Sequence, residues 1–476
     1  MLFNSGEFFV LLGATLLLYP LLARRGQNRM LLVASWVFYA WWDWRFLGLL
    51  WLSTIVDFLA ARGIEAARAR GDAAAPRRWL AASLATNLGA LGFFKYWNFF
   101  AESTARVLEA LGLHASPLTL HVILPAGISF YTFQTLAYTI DVWRGRVRAE
   151  RDPLDFALFV AFFPQLMAGP IERARRLLPQ IRRPRTVTAE DWRVGGWLLF
   201  WGLFKKVFIA DNLAPLTGWA FHVAEAPSAA QLASVYFGFA IQFYCDFSGY
   251  SDMARGIARL FGIQIANNFR LPYFSPNPMA LWQRWHRTLA FWFRDYVYGP
   301  LSRALGAGPG RAAAALATMG LVGLWHGAAF TFVLWGLAWG VVLVVHRLVR
   351  GPIARFVQGR PWARPWRTML GTLLTFYLWL TLGTFFVAPD AGIAARFLWR
   401  FHTGFDSSPG ALRDFATVLY YSAPLVAMQI AQLRAGKIDL VPDWPAPVRF
   451  AVYAGLTLLL VVMGAEADQE FFYFAF

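Results

Sequence analysis

Long apolar runs follow one another along this chain, and clusters of arginine close most of them. Inside a bilayer every backbone N–H and C=O must be satisfied within the protein, so a crossing run is either a helix or a strand of a closed barrel. These runs are roughly 13–20 residues long and do not alternate, which suits helices rather than the shorter alternating strands of a barrel. Only 15% of the residues are charged and 58% are hydrophobic, whereas a soluble domain is about a quarter charged. The expected fold class is an all-α polytopic membrane protein, with the 476 residues forming one integral-membrane domain. Within it, N-terminal helices occupy 1–140, a central core 141–350 and C-terminal helices 351–476.

The net charge of +17 then reads as topology. Arginines between spans mark cytoplasmic loops rather than a nucleic-acid surface. Phe8–Leu22 is expected to be a retained first span, followed by Arg24, Arg25 and Arg29 in the cytoplasm, with the N-terminus outside. Met30–Trp42 and Phe46–Ala61 make a hairpin with Trp41, Trp42 and Trp44 at its outer turn. The loop Arg62–Arg78, with five Arg against two acids, lies in the cytoplasm. Trp79–Tyr96 goes out and Leu118–Tyr138 returns, kinked at Pro125 and Gly127. Phe156–Ala168 is too short to cross and runs into Pro164, Gly169 and Pro170, which predicts a re-entrant or interfacial element. Trp192–Ala210 leads out to a loop without Lys or Arg, and Leu232–Tyr250 comes back. Arg255–Arg311 stays at the cytoplasmic face, its centre Met279–Tyr298 reading as an interfacial amphipathic helix. Ala312–Phe330 and Thr331–Val345 form another hairpin, before a loop Arg347–Arg367 with six Arg and no acid. Met369–Val387, Phe415–Ala431 and Val448–Met463 complete about twelve spans, and an acidic tail ends outside.

Polar groups are expensive in so apolar a chain, and they gather between Gln242 and Gly327. His326 stands about 15 residues into its span, roughly 22 Å along a helix and inside the hydrocarbon region. An ionisable residue at that depth is a functional candidate, the alternative being a histidine hydrogen-bonded between helices. Gly323 and Gly327 strip side-chain bulk from around it and would let a substrate approach. His286, in W-Q-R-W-H-R-T-L, is either a second functional group or a headgroup contact. Trp282, Trp285 and Trp292 read as belt or packing residues, and Arg284, Arg287 and Arg294 as ligands for the phosphates of lipid or of a thioester. Asp246 and Asp252, with Ser248 and Tyr250, are expected to brace the site through arginines. Six residues apart, the two carboxylates do not share a helix face, and Ser248-Gly249 favours a break between them. Asn267 and Asn268 read as caps or turn residues, while His114, His121, His222, His346 and His402 stand apart. The single cysteine, Cys245, excludes an internal disulfide, and neither a zinc-ligand spacing, a dinucleotide fingerprint, a P-loop nor G-x-S-x-G is present.

Five ordered blocks carry a family likeness: F-F-P-Q-L-M-A-G-P-I (162–171), Y-C-D-F-S-G-Y-S-D-M-A (244–254), N-F-R-L-P-Y-F-S (268–275), R-W-H-R-T-L-A-F-W-F-R-D-Y-V-Y-G-P-L (284–301) and G-L-W-H-G-A-A-F-T-F-V-L-W-G (323–336). Together they resemble the membrane-bound O-acyltransferase superfamily, nearest to its bacterial alginate-acetylating branch. The opening N-S-G-E-F, the W-W-D-W-R hairpin and the closing F-F-Y-F-A-F fit that branch too. Around Met279–Ala290 the chain departs from the family, with Ala280, Leu281 and Gln283 where an acidic pattern is usual. The resemblance implies a bundle of about 11–13 transmembrane helices with re-entrant or interfacial helices around a central tunnel. It implies His326 as the active histidine and His286 as the second, cytoplasm-facing one. Trp325, Trp285, Asp246, Ser248, Tyr250, Asp252, Asn268, Arg284 and Asp295 are then the substrate-binding or bracing residues.

The implied reaction is O-acetylation of an exported polysaccharide, with alginate foremost, at the bacterial inner membrane. The donor would be acetyl-CoA or an acyl-carrier thioester; no bound cofactor or metal is implied, and no nucleic acid. Membrane lipids and a periplasmic acetyltransferase or polysaccharide-modifying protein would be the partners. Transfer of D-alanyl or other acyl groups to teichoic acid, peptidoglycan or cellulose is the near alternative. Two readings from other classes stand beside these. A transporter using His326 as a proton relay predicts flux that follows the proton gradient, and a scaffold predicts a silent His326→Ala.

Overall fold

The computed structural model describes residues 1–113, 116–120, 122–220, 227–465 and 471. Among these the secondary structure is helical, without strands, as expected of runs that must close their own backbone bonds. Arg24–Ala69, Phe330–Val357, Ala363–Val387 and Ala446–Met463 are long and apolar enough to cross a membrane, and the protein is a multi-pass, all-α membrane protein. The other expected spans are helices that carry ionisable residues or break into shorter pieces. The chain divides into two compact units, Met1–Leu199 with Met253–Ala266, and Phe200–Asp252 with Asn267–Phe476.

The first unit is built from α1 (Gly6–Leu18), α2 (Arg24–Asp43), α3 (Leu47–Ala69), α4 (Ala75–Leu91), α5 (Trp97–Ala110), α6 (Ile128–Trp143), α7 (Pro153–Ala161), α8 (Phe163–Leu166), α9 (Ala174–Arg182) and the start of α10 (Ala189–Phe204). Arg24, Arg25 and Arg29 lie within α2, and Arg62 and Arg68 within α3, so the expected basic loop shrinks to residues 70–74. Arginine is a good helix former whose long stem lets its charge leave the helix, and Arg68 reaches the Val142 carbonyl at 2.8 Å. The expected span Leu118–Tyr138 is helical only from Ile128. Gly127, with φ 74°, precedes the helix instead of kinking it, and a Cβ there would lie 2.6 Å from the Leu166 carbonyl oxygen.

The short 156–168 run is broken as its prolines and glycines predict. α7 stops at Phe162, and Phe156, Phe159, Phe162 and Phe163 are all fully buried. The Phe159 carbonyl, next to the break, accepts Nε2 of Gln134 at 2.6 Å and of Gln165 at 2.8 Å. Side chains thus satisfy backbone that a continuous helix would have satisfied.

The second unit holds the end of α10, α11 (Asp211–Trp219), most of α12 (Ala229–Leu260), α13 (Pro278–Trp282), α14 (Arg287–Phe293), α15 (Gly299–Ala304), α16 (Pro309–His326), α17 (Phe330–Val357), α18 (Ala363–Leu382), α19 (Thr384–Val387), α20 (Ala391–Thr403), α21 (Ala411–Ala435) and α22 (Ala446–Met463). Three expectations are corrected here. The helical path of α10 continues through a wide turn at Lys205–Ala210 into α11, where an outer loop was expected. α17 runs on to Val357 through Pro352, shortening the expected arginine loop. Met279–Tyr298 is not one interfacial helix: α13 and α14 are separated by a turn at His286, and Leu281, Trp285, Leu289, Trp292 and Phe293 are buried. His114, His121, His222 and the tail residues 466–470 and 472–476 lie outside the described residues.

Candidate functional site

α12 underlies the site. It runs unbroken through Ser248-Gly249, against the expected break, because Gly249 serves a close approach: a Cβ there would lie 2.8 Å from the Gly202 carbonyl oxygen. That approach brings Lys205 and Lys206 against α12. Lys205 donates to Ser248 at 2.9 Å and pairs with Asp252 at 2.7 Å. Lys206 pairs with both Asp246 and Asp211 at 2.8 Å and lies 4.4 Å from the ring centre of Phe471. Six residues on a helix differ by roughly 120° around its axis, close to the 100° between neighbours. Two adjacent lysines can therefore serve two carboxylates that share no face. Asp246, Ser248 and Asp252 are engaged by lysines where arginines were expected. Sequence reading missed both lysines, and the signal was there: a K-K pair inside the apolar run 197–210 is an ionisable group in a span.

A further face of α12 is aromatic and reaches both histidines. Phe247 meets the His286 ring at 4.6 Å, and Phe243 meets Trp285 at 5.3 Å and Phe386 at 5.1 Å. Phe386 in turn meets the His326 ring at 5.1 Å.

His326 is the last residue of α16. Ala-rich sequence after Pro309 favours the helix, and the extended Gly327 ends it. The imidazole is 4% exposed, with Trp335 at 5.2 Å and Trp325 at 4.9 Å. The flanking glycines do not open a way in. A Cβ on Gly323 would fall on the Phe332 carbonyl, 3.2 Å from the Gly336 nitrogen, and one on Gly327 would meet the Phe332 ring. They are there so that α16 and α17 can touch.

His286 caps α14 from a left-handed conformation, φ 38° and ψ 54°, and is 1% exposed. Asn268 holds this turn. Its carbonyl accepts from Arg287 N at 3.0 Å, its Oδ1 from the Thr288 hydroxyl at 2.7 Å, and its Nδ2 donates to Ser251 at 3.3 Å. Asn268 is thus more than a local cap, because it ties the turn to α12. Burial pushes the His286 imidazole down to about 3, so the ring is neutral under ordinary conditions.

Trp325 contacts both imidazoles, 5.8 Å from His286 and 4.9 Å from His326. Trp285 is packed on Trp379 at 4.3 Å. Tyr250 is buried with its ring edge-on to Phe471 at 5.0 Å. Arg284 and Arg287 donate to the carbonyls of Phe274 at 2.9 Å and Asn267 at 3.1 Å. Asp295 pairs with its exposed neighbour Arg294 at 2.8 Å, and His402 bonds Tyr377, so neither joins the cluster around the histidines.

Two buried imidazoles thus contact one indole within an aromatic enclosure. Residues 146–387, which include both histidines and both lysines, match the membrane-bound O-acyltransferase family. The chain belongs to that family and is an O-acyltransferase. It is 38% identical over 435 residues to the Azotobacter vinelandii protein named "Probable alginate O-acetylase AlgI", covering 91% of this chain and 83% of that one. A peptidoglycan O-acetyltransferase of Helicobacter pylori is 34% identical over 437 residues, covering 84% and 79%. A teichoic acid D-alanyltransferase of Bacillus subtilis is 28% identical over 270 residues, covering 53% and 65%.

Proposed function

We propose that this protein moves an acetyl group from a cytoplasmic thioester across the bacterial inner membrane for O-acetylation of an exported polysaccharide, alginate foremost. The observation that carries the reading is the pair of buried histidines in contact with Trp325, taken with the similarity to the A. vinelandii protein over most of both chains. His326 acts as general base: it takes the proton of the acceptor hydroxyl as that oxygen attacks the thioester carbonyl. The C–S bond then breaks, and the leaving thiolate takes the proton from the imidazolium. His286, neutral and held by its turn, orients one of the reactants. The aromatic walls keep water from the thioester. The donor is acetyl-CoA or an acyl-carrier thioester, and a periplasmic acetyltransferase or polysaccharide-modifying protein completes delivery.

The test is the acetyl content of secreted polysaccharide in cells carrying His326→Ala, beside His286→Gln and His346→Ala, at equal membrane levels by immunoblot. His346, half-buried on α17, stands outside the cluster. We expect loss of acetyl groups in His326→Ala, a partial loss in His286→Gln and none in His346→Ala. Normal acetylation in His326→Ala would overturn the mechanism, and transfer of labelled D-alanine instead of acetate would overturn the substrate.

A further inference from the structure

Of the arginines that the sequence offers for phosphate binding, Arg284 and Arg287 donate to backbone carbonyls and Arg294 pairs with Asp295. Arg294 stands with Arg311, Arg347 and Arg350 on a groove of about 890 Å³ within the second unit. Its walls come from the α13–α14 segment and from the facing sides of α16 and α17. Met279, Leu289, Phe291, Ala315, Met319 and Val344 are among them. Ligand sites of small molecules run to about 300–1,000 Å³, so the space is that of a sizeable apolar ligand with an anionic end.

α17 is one of the helices able to cross the membrane. Counted from Phe330 at 1.5 Å per residue, Arg347 and Arg350 lie about 26–30 Å along it, the thickness of a hydrocarbon core. On a helix that crosses from Phe330, the guanidiniums would fall at headgroup level and the walls below them at acyl-chain level. Leu334, Leu337, Val341, Val345 and Leu348 of the same helix are exposed, as lipid-facing residues are. Beyond the arginines the wall offers few polar groups, chiefly Gln283, Tyr298 and Thr318, and the Thr318 hydroxyl already donates to Ala314. An acetyl group is far too small to fill such a groove, and the amide-bearing arm of a thioester would find few partners there.

We infer that this groove is a binding site for an anionic diacyl phospholipid, its phosphate held by Arg311, Arg347 and Arg350 and its chains lying along α16 and α17. The site is independent of which acyl group the enzyme transfers. Each arginine near the membrane surface is worth about 1 kcal/mol toward an anionic lipid, or about fivefold in affinity.

The experiment uses the full chain in phosphatidylcholine nanodiscs containing a few per cent dioleoylphosphatidylglycerol, with lipid retained after detergent exchange quantified by mass spectrometry. Arg311→Gln, Arg347→Gln/Arg350→Gln, Ala315→Trp to fill the groove, and Arg364→Gln/Arg367→Gln as a surface-charge control would be compared. We expect about one retained phosphatidylglycerol per wild-type chain, about fivefold weaker retention in Arg311→Gln, a larger loss in the double variant and loss in Ala315→Trp. The control pair should match wild type. Equal retention in all variants, or an equal loss in the control pair, would refute a defined site. Displacement of the lipid by acetyl-CoA at concentrations that saturate activity would also refute the inference and assign the groove to the donor. Should Ala315→Trp fail to fold, the arginine variants and the acetyl-CoA competition still decide.

Discussion

Gly323→Ala isolates what the glycines beside His326 do. The added methyl would fall on the Phe332 carbonyl, 2.9 Å from its carbon and 3.2 Å from the Gly336 nitrogen, where ordinary contact starts near 3.4 Å. Both neighbours are backbone, so relief requires α16 and α17 to separate by about 1 Å, three residues before the catalytic candidate. Gly336 reciprocates, since a Cβ there would meet Met319 backbone at 3.0 Å and the Gly323 Cα at 3.1 Å. Overpacking of this kind costs about 1–3 kcal/mol, against which alanine returns about 1 kcal/mol of helix propensity. The expected net destabilisation is about 1 kcal/mol. Because sub-ångström to 1 Å misplacements of catalytic groups can cost up to about 10²-fold, acetyl transfer should fall about tenfold or more, in kcat. Gly320→Ala is the internal comparison, for its methyl meets only the Leu337 side chain, its Cδ2 at 3.3 Å, and it should be active and no less stable. The assay is turnover in reconstituted membranes together with the thermal midpoint of purified protein. Full activity in Gly323→Ala, or a loss confined to KM at an unchanged midpoint, would refute close packing as the reason for this glycine and restore the idea that it clears room for substrate.

Two further outcomes follow from the burial of charge and of His286. Lys206→Met leaves Asp211 and Asp246 buried without their shared ammonium, which should cost about 3–5 kcal/mol; Lys205→Met should cost less, since its partner Asp252 is 16% exposed against 4% for Asp211 and Asp246. Thermal midpoints rank them, and equal losses would contradict the assignment. Folded His286 stays neutral down to about 3, whereas an unfolded imidazole titrates near 6.5. Below pH 6.5 the unfolded state therefore binds the extra proton, and stability falls with falling pH by about 1.4 kcal/mol per unit from this group. Between pH 6.5 and 5 wild type should lose about 2 kcal/mol more than His286→Gln; parallel losses would sink the assignment.

The helical class, the α16–α17 hairpin and the broken buried element at 156–168 could all be read from the sequence. Each rests on local signals: an apolar run or a proline. The Lys205–Asp252 and Lys206–Asp246 pairs could not, because their partners lie 47 and 40 residues apart and only α12 packing on α10 brings them together. Gly249 reads as a helix breaker from propensity alone, yet the need for a neighbouring backbone at Gly202 decides its role. Gly323 and Gly327 mislead in the same way, since an absent side chain looks like open space until the facing helix is known. The turn at His286 was hidden because a non-glycine residue with positive φ is uncommon.

That backbone changes how the second histidine should be interrogated. With φ 38°, His286 sits where an L-residue pays roughly 1–2 kcal/mol and glycine almost nothing. Alanine scanning assumes that alanine is the neutral truncation, and here it is not: it deletes the ring and keeps the torsional penalty. Glycine at this position should be about 1 kcal/mol more stable than alanine while lacking the same imidazole, the reverse of their order inside a helix. Comparing the thermal midpoints of His286→Gly and His286→Ala would separate the conformational cost of the turn from the contribution of the ring, and any loss of activity the two share belongs to the imidazole alone.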